Sequence, residues 1–369
     1  MLRWIFQLSV LCVVAAVLGW LYSNYRTNVA RTNIPTDFSF LDRPSNFEIP
    51  GNRMSQTAPV RDALVQGFLN TMRVAVAGLV LATVLGTLIG IGRLSRNAVL
   101  RSLCTTYVEI VRNIPLLVLL LFANLGLVLQ VLPRIQDAWQ PLGVSVLSNR
   151  GIAIPWYVGS GWGLIALLII GLVGVRAVTA WRRRVTDRRG LPARPGLWAG
   201  GLLVLVLVGG WVILGYDVTT PEVDGRITVG GMRLDPSFFA LLVALVIYTA
   251  SHIAEIVRGS IQAVPRGQDE AAQALALSGF QRMWFVVLPQ AFRIAVPPLG
   301  NQYLNLIKNS SLGAAISYFE LTNVTQISVA NSSPPVPAFT LTLAIYLCIS
   351  LIVSGLVNLW NRRLALVTQ

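Results

Sequence analysis

The chain has 369 residues, of which 54% are hydrophobic and only 12% charged, and its mean hydropathy is +0.66. Soluble domains carry about 25% charged residues, so this composition excludes a string of soluble domains. A formal charge of +14 fits a nucleic-acid binder or a membrane protein with basic loops, and the placement of the charges decides between them.

A membrane-crossing helix needs about 20 mostly apolar residues. In chain order, Trp4–Tyr22, Val74–Gly92, Asn113–Leu132, Gly161–Val175, Leu197–Tyr216, Ser237–Ala254 and Ala338–Trp360 meet that test or nearly so. An eighth segment, Ile294–Ser317, is interrupted by Pro297-Pro298 and carries Lys308, the one Lys among the 29 cationic residues. It is included because the charges demand an even number of crossings. With the N-terminus in the cytoplasm, the inner segments hold Arg3, Arg93, Arg96, Arg101, the run from Arg182 to Arg194, Arg258, Arg266, Arg282, Arg293, Arg362 and Arg363, which is 16 Arg against three acids. The outer segments hold nine Arg and ten acids. Basic residues in short loops face the cytoplasm, so both termini are expected inside. The basic clusters flank spans, which reads as orientation and contact with anionic lipid, with no nucleic acid as partner.

The expected fold is therefore all-α, a polytopic helical membrane protein of about eight spans. Residues 1–62 read as an anchor helix and an external linker of low periodicity, the anchor being retained rather than cleaved as a signal peptide. Along Val74–Gly92, the residues Gly78, Ala82, Gly86 and Gly90 form a small-residue stripe. Such a stripe permits close helix approach, either within this chain or to another subunit.

Catalytic and metal chemistry has little material here. One histidine, His252, excludes an HExxH zinc site, and Cys12, Cys104 and Cys348 are widely separated with no CxxC. Lys308 follows Leu-Asn-Leu-Ile rather than a glycine-rich loop, so the chain has no Walker A phosphate cradle. Neither an enzyme nor a cofactor is expected, and any ATP must be hydrolysed by another chain.

The longest inner loop, 258–293, contains Pro265-Arg266-Gly267, a turn, followed by Gln268, Asp269, Glu270, Ala271 and Ala272. Acids in a first helical turn and good helix formers after them predict a helix, with Gly279 as its stop and a second short helix from Phe280 to Leu288 ended by Pro289. Its small, smooth surface suits either an interfacial helix or insertion into a partner's groove.

Glu270-Ala271-Ala272, with Leu288-Pro289 eighteen residues on, resembles the EAA loop of ATP-binding-cassette importer permeases. The resemblance implies that this loop docks the ATPase subunits, through Gln268, Asp269, Glu270, Ala271, Ala272, Ala276, Gly279, Leu288 and Pro289. One departure is Ala276, where the family has glycine; alanine there predicts a helix less bent at that point. Tyr107–Leu117, Tyr248–Gly259, Pro289-Gln290-Ala291, Arg293, Pro297, Asn301 and Lys308–Leu312 are similar to the polar amino-acid branch of these permeases. The likeness covers about residues 67–132 and 237–360, which implies a five-helix permease core in two parts, 63–132 and 237–369. Between them, 133–236 is an inserted helix pair with a basic loop. The extended form resembles permeases of general L-amino-acid importers in the bacterial inner membrane. It implies a second, different permease and an extracytoplasmic amino-acid-binding protein, and cargo that is polar or acidic.

Charged residues inside a bilayer are costly. Glu109 with Arg112 and Glu255 with Arg258 stand three apart and can pair on one helix face. Lys308, flanked by Asn305, Asn309, Ser310 and Ser311, is expected to face the bundle or a solvated pathway, with structural hydrogen bonding as the plainer role. An ion-coupled secondary carrier is the alternative; it calls for inverted repeats and coupling carboxylates near mid-membrane, and no repeat is found. A membrane enzyme would need clustered catalytic groups that this inventory lacks.

Overall fold

The computed structural model describes residues 2–32, 36–50, 55–189 and 195–365. Arg194, expected among the inner basic residues, lies outside them, as do the side chains of Arg183, Arg188, Arg189 and Arg363. Twelve α-helices are present among the described residues: α1 (Leu2–Thr32), α2 (Val60–Gly92), α3 (Ala98–Arg112), α4 (Leu116–Leu121), α5 (Gly161–Arg189), α6 (Pro195–Ile213), α7 (Pro236–Gln262), α8 (Arg266–Ala274), α9 (Gly279–Arg282), α10 (Leu288–Asn309), α11 (Leu321–Ala330) and α12 (Pro335–Ala365).

Each of the eight apolar segments is helical, but they are not eight equal spans. Six helical stretches are long and apolar enough to cross a membrane, including Gly279–Ile316, and a seventh results if α3 and Leu116–Val131 are one span bent by 105°. Trp198–Ile213 is a shorter apolar helix. The bend has a local cause: Pro115 follows Asn113-Ile114, has no N–H to donate and disfavours helical backbone at Ile114. Beyond it, α4 continues as a π-helix over Phe122–Val131. Pro297-Pro298, by contrast, does not break α10, which runs through both prolines. Prolines are tolerated in spanning helices where neighbours and local adjustments satisfy the freed carbonyls.

The chain divides into two compact units, residues 1–126 with 240–369, and 127–239. In the first, α2 begins well before the expected Val74, because Val60, Ala63 and Leu64 are buried against Leu321, Val324 and Ala338. Phe40 and Ile49 join the same core, so the segment read as a linker is partly folded; backbone bonds from Ser45 and Asn46 to Ala58 and Gln56 fasten it. A second core joins Ala75 and Ala82 of α2, Ala250 and Ile253 of α7, Leu299 and Leu306 of α10 and Ile349 of α12. The best apolar window of α1, in contrast, is not buried by any of the described residues.

The second unit adds short strands to the helical fold. It contains α5 and α6, whose glycines admit close neighbours: Gly210 meets Leu167, and Gly174 meets Leu202. Its described residues also include seven short strands: β1 (Val146–Ser148), β2 (Gly151–Ile154), β3 (Trp156–Val158), β4 (Asp217–Thr219), β5 (Glu222–Asp224), β6 (Ile227–Val229) and β7 (Met232–Leu234). They form antiparallel sheets β1-β2-β7, β3-β4 and β5-β6. Because β2 pairs with β7 and β3 with β4, the segments before α5 and after α6 meet on one side. Each strand is only three or four residues long, too short for the alternation that betrays a strand in sequence.

Candidate loop and membrane face

The small-residue stripe of α2 is used within the chain. A side chain added at Gly86 would lie 2.7 Å from Cβ of Ile253 and 2.8 Å from the carbonyl oxygen of Ala250; at Gly90 it would lie 2.7 Å from the carbonyl oxygen of Ala254. The backbones of α2 and α7 thus approach as closely as the missing side chains allow. That approach brings Arg93, capping the end of α2, onto Glu255 of α7. The Arg93 and Arg258 guanidinium groups both donate to the Glu255 carboxylate, Arg258 also through its Nε at 3.2 Å. The Glu255–Arg258 pairing read from spacing is present and gains a third member from another helix. Glu109 and Arg112, by contrast, are both exposed and form no ion pair among the described residues. Their helix instead turns Val108 and Val111 inward and anchors through the Tyr107 hydroxyl, which donates to the carbonyl of Ile247 at 2.7 Å.

From this clamp the chain passes through Val264 and Pro265 into the loop. Val264, Val287 and Ala291 form a small core with Ile261 that seats the loop between the end of α7 and the start of α10. The first helix, α8, ends at Ala274 rather than at Gly279. Leu277 N–H bonds the carbonyl of Ala272 at 3.2 Å, and Ala276 N–H bonds that of Gln273 at 2.9 Å. This pair of bonds is a Schellman motif, with Ala276 in the left-handed position at φ +56°. Alanine therefore does not relax the turn, as expected from the sequence; the turn is kept and alanine is bent into it. Gly279 is the first residue of α9, not a stop. Ser278 caps that helix, accepting from Gln281 N–H at 3.3 Å while the Gln281 side chain accepts from Ser278 N–H at 2.9 Å.

Two contacts lock the helices of the loop together. Arg282 pairs with Asp269 at 2.9 Å, and Gln290 donates to Gln268 at 3.1 Å. Gln268 and Asp269 thus brace the loop internally, whereas Glu270 and Ala271 point outward and Ala272 is buried beneath them. Leu288 is half-buried and Pro289 exposed at the entry to α10. Beside α8, Leu275, Phe280, Trp284 and Phe285 are all more than half exposed, and Phe280 stacks on Trp284. This apolar group was not singled out from the sequence, where it reads as ordinary helix filling.

On α10 the buried face is apolar: Ala295, Leu299, Leu306 and Ile307. Pro297, Asn301, Asn305 and Lys308 recur at helical spacing on the opposite, exposed face. The five residues read as one polar group do not stay together. Ser310 is buried and donates to the carbonyl of Ile307 at 2.7 Å, Ser311 donates to that of Lys308 at 2.7 Å, and Asn309 is half-buried. Lys308 and Asn305 share the exposed face with Asn301 instead.

A buried polar cluster at the start of α11 was missed altogether. Glu320 is fully buried outside the spanning helices and caps α11, accepting from Thr322 and Asn323 N–H groups at 2.8 and 2.7 Å and from the Tyr346 hydroxyl at 2.9 Å. Burial pushes its carboxyl up to about 7, against the pull of those hydrogen bonds. Asn70 and Thr71 of α2 bond the carbonyl of Phe319 and the N–H of Leu321. The sequence signal was Glu320 directly before Leu-Thr-Asn, an N-cap position.

Known proteins show the same plan. The family described as "Binding-protein-dependent transport system inner membrane component" matches residues 195–366, a stretch that includes the loop and α10. The general L-amino acid transport system permease protein AapQ of Rhizobium johnstonii is 39% identical over 375 residues, covering 99% of this chain and 92% of that protein. The chain belongs to this family. The glutamate/glutamine/aspartate/asparagine transport system permease protein BztB of Rhodobacter capsulatus is 36% identical, covering 98% of this chain and 93% of that one. The crystal structure of an amino acid ABC transporter with histidines shares the fold, with a TM-score of 0.50 at 20% identity over 82% of this chain and 94% of that one. The permease is thus a multi-pass inner-membrane subunit of an amino-acid ABC transporter. It is not an enzyme; ATP is hydrolysed by a separate ATPase subunit with which it works.

Proposed function

We propose that this permease imports polar and acidic L-amino acids and their amides into the cytoplasm, driven by ATPase subunits docked on the loop 258–293. A second, different permease and an extracytoplasmic amino-acid-binding protein complete the transporter, and both termini are cytoplasmic. The substrate class is supported by the names of the full-length relatives, one a general L-amino acid permease and one a glutamate, glutamine, aspartate and asparagine permease.

The observation that carries the mechanism is continuity. From Gly279 to Ile316 the chain is one helical stretch, with the loop at one end and the Asn301, Asn305 and Lys308 face along it. A polar stripe on a spanning helix is unfavourable against lipid, so it lines a solvated pathway or the second permease. Glu270, Ala271 and the exposed Leu275, Phe280, Trp284 and Phe285 offer the ATPase a mixed acidic and apolar surface. Closure of the ATPases moves the braced pair α8 and α9, and α10 carries that displacement to the pathway. The test is Glu270→Arg, made in the complete transporter. Co-purifying ATPase and amino-acid uptake should both fall at least tenfold, because the substitution reverses the charge of an outward-facing docking group while Asp269 and Arg282 still brace the loop. Unchanged assembly and uptake would overturn the docking assignment.

A further inference from the structure

Four arginines of the second unit converge on one surface. Arg150 sits in the two-residue turn between β1 and β2, and Arg226 in the turn between β5 and β6. Arg233 lies on β7 opposite Ala153, and Arg134 immediately precedes the turn Ile135–Asp137. Two hydrogen bonds tie these turns: Asn149 N–H bonds the carbonyl of Pro133 at 2.8 Å, and the Arg150 guanidinium bonds the carbonyl of Arg226 at 3.2 Å. Arg150, Arg226 and Arg233 line a cavity of about 180 Å³, and Arg134, Arg150 and Arg226 line a second of about 210 Å³. Asp235 is the one carboxylate among the described lining residues, and none of the four arginines is in an ion pair with a described residue. Like charges that line one depression repel unless an anion screens them.

We propose that this arginine-lined surface receives acidic side chains of the extracytoplasmic binding protein when that protein delivers its cargo, an inference that rests on the importer reading above. Guanidinium groups match carboxylates bidentately, which makes arginine rather than lysine the residue for such a contact. Both depressions are half open to the surface, so side chains projecting from a protein can enter them. Two adjoining depressions that share Arg150 and Arg226 suit two neighbouring Asp or Glu side chains on a protein surface. The importer reading also puts these segments outside the membrane, where a soluble partner can reach them.

The test uses the complete transporter in lipid nanodiscs, with ATP hydrolysis titrated by its purified, amino-acid-loaded binding protein. Two double variants are compared with the wild type: Arg150→Gln with Arg226→Gln, and Arg134→Gln with Arg226→Gln. The second keeps the bond from Arg150 to the Arg226 carbonyl and so guards against loss of the fold. Both should raise the half-stimulating concentration about tenfold or more at low salt, leave hydrolysis without binding protein unchanged, and flatten the salt dependence. A titration identical to the wild type for both variants would sink the proposal while leaving the importer reading intact. If labelled L-glutamate binds the wild-type transporter without binding protein, and the variants lose that binding while their binding-protein titration stays as in the wild type, the surface holds free amino acid and protein docking is refuted. Wild-type transport that needs no binding protein would refute the importer reading itself, and the docking surface with it.

Discussion

Ala276 shows how a single residue can keep a geometry that its type disfavours. An L-residue in the left-handed region costs about 1–2 kcal/mol, which glycine avoids. The two Schellman bonds and the burial of Ala272 hold the turn at φ +56° regardless. Ala276→Gly should therefore stabilise the turn by about 1 kcal/mol and slow amide exchange at Leu277 roughly fivefold. Exchange as fast as in the wild type would mean that the left-handed turn carries no strain. At Glu320 the decisive quantity is burial. Its folded-state acidity constant lies near 7, above the ordinary carboxyl value of 4.5. Below about 4.5 the group is neutral both folded and unfolded, and its contribution to stability is fully present. As pH rises towards 7 the unfolded chain releases the proton first, so stability falls, on the order of 3 kcal/mol across that window. The thermal midpoint of the detergent-solubilised protein should drop between pH 5 and 7.5 in the wild type and stay flatter in Glu320→Gln. Equal slopes in the two proteins would rule Glu320 out as the source.

Among the elements, α2 and α7 are the pair on which the loop depends. Small residues at Gly86 and Gly90 let the helices close, and that brings Arg93 onto the Glu255–Arg258 pair of α7. The stripe and the Glu255–Arg258 spacing were both legible in the sequence. The partner of the stripe was not, because a run of small residues fits a neighbour in the same chain as well as one in another subunit. Gly86→Val places atoms where Ile253 and the Ala250 carbonyl already are, and overpacking of this kind costs about 1–3 kcal/mol. The thermal midpoint should fall by several degrees, whereas Gly19→Ala, with nothing within 4 Å, should leave it unchanged. A neutral Gly86→Val would show that α2 and α7 do not pack this closely. The same contrast explains the misread loop: helix formers and a glycine at 279 suggested one helix with a stop, but backbone bonding ends α8 five residues earlier and makes that glycine the start of α9.

For the molecule as a whole, composition together with the apolar runs and the placement of the charges identified a membrane protein, since a chain with so few charges and so many long apolar runs cannot remain in water. Hydropathy located most of the apolar helices, because a spanning helix requires about 20 apolar residues in a row. The segment with Pro297-Pro298 and Lys308, by contrast, is placed by the charge count, and Trp198–Ile213 is a shorter apolar helix. The family was legible in Glu270-Ala271-Ala272 and Leu288-Pro289, a local pattern that survives in the order of residues. Tertiary structure alone decided the rest. It kept α10 whole through two prolines, folded Phe40 and Ile49 into the core, and joined strands of three or four residues across α5 and α6. These outcomes turn on contacts between residues far apart in the chain, and no periodicity within one segment encodes them. The same is true of Glu255, Glu320 and the four arginines of the second unit: the sequence supplied the charges, and only the fold determined which of them meet a partner.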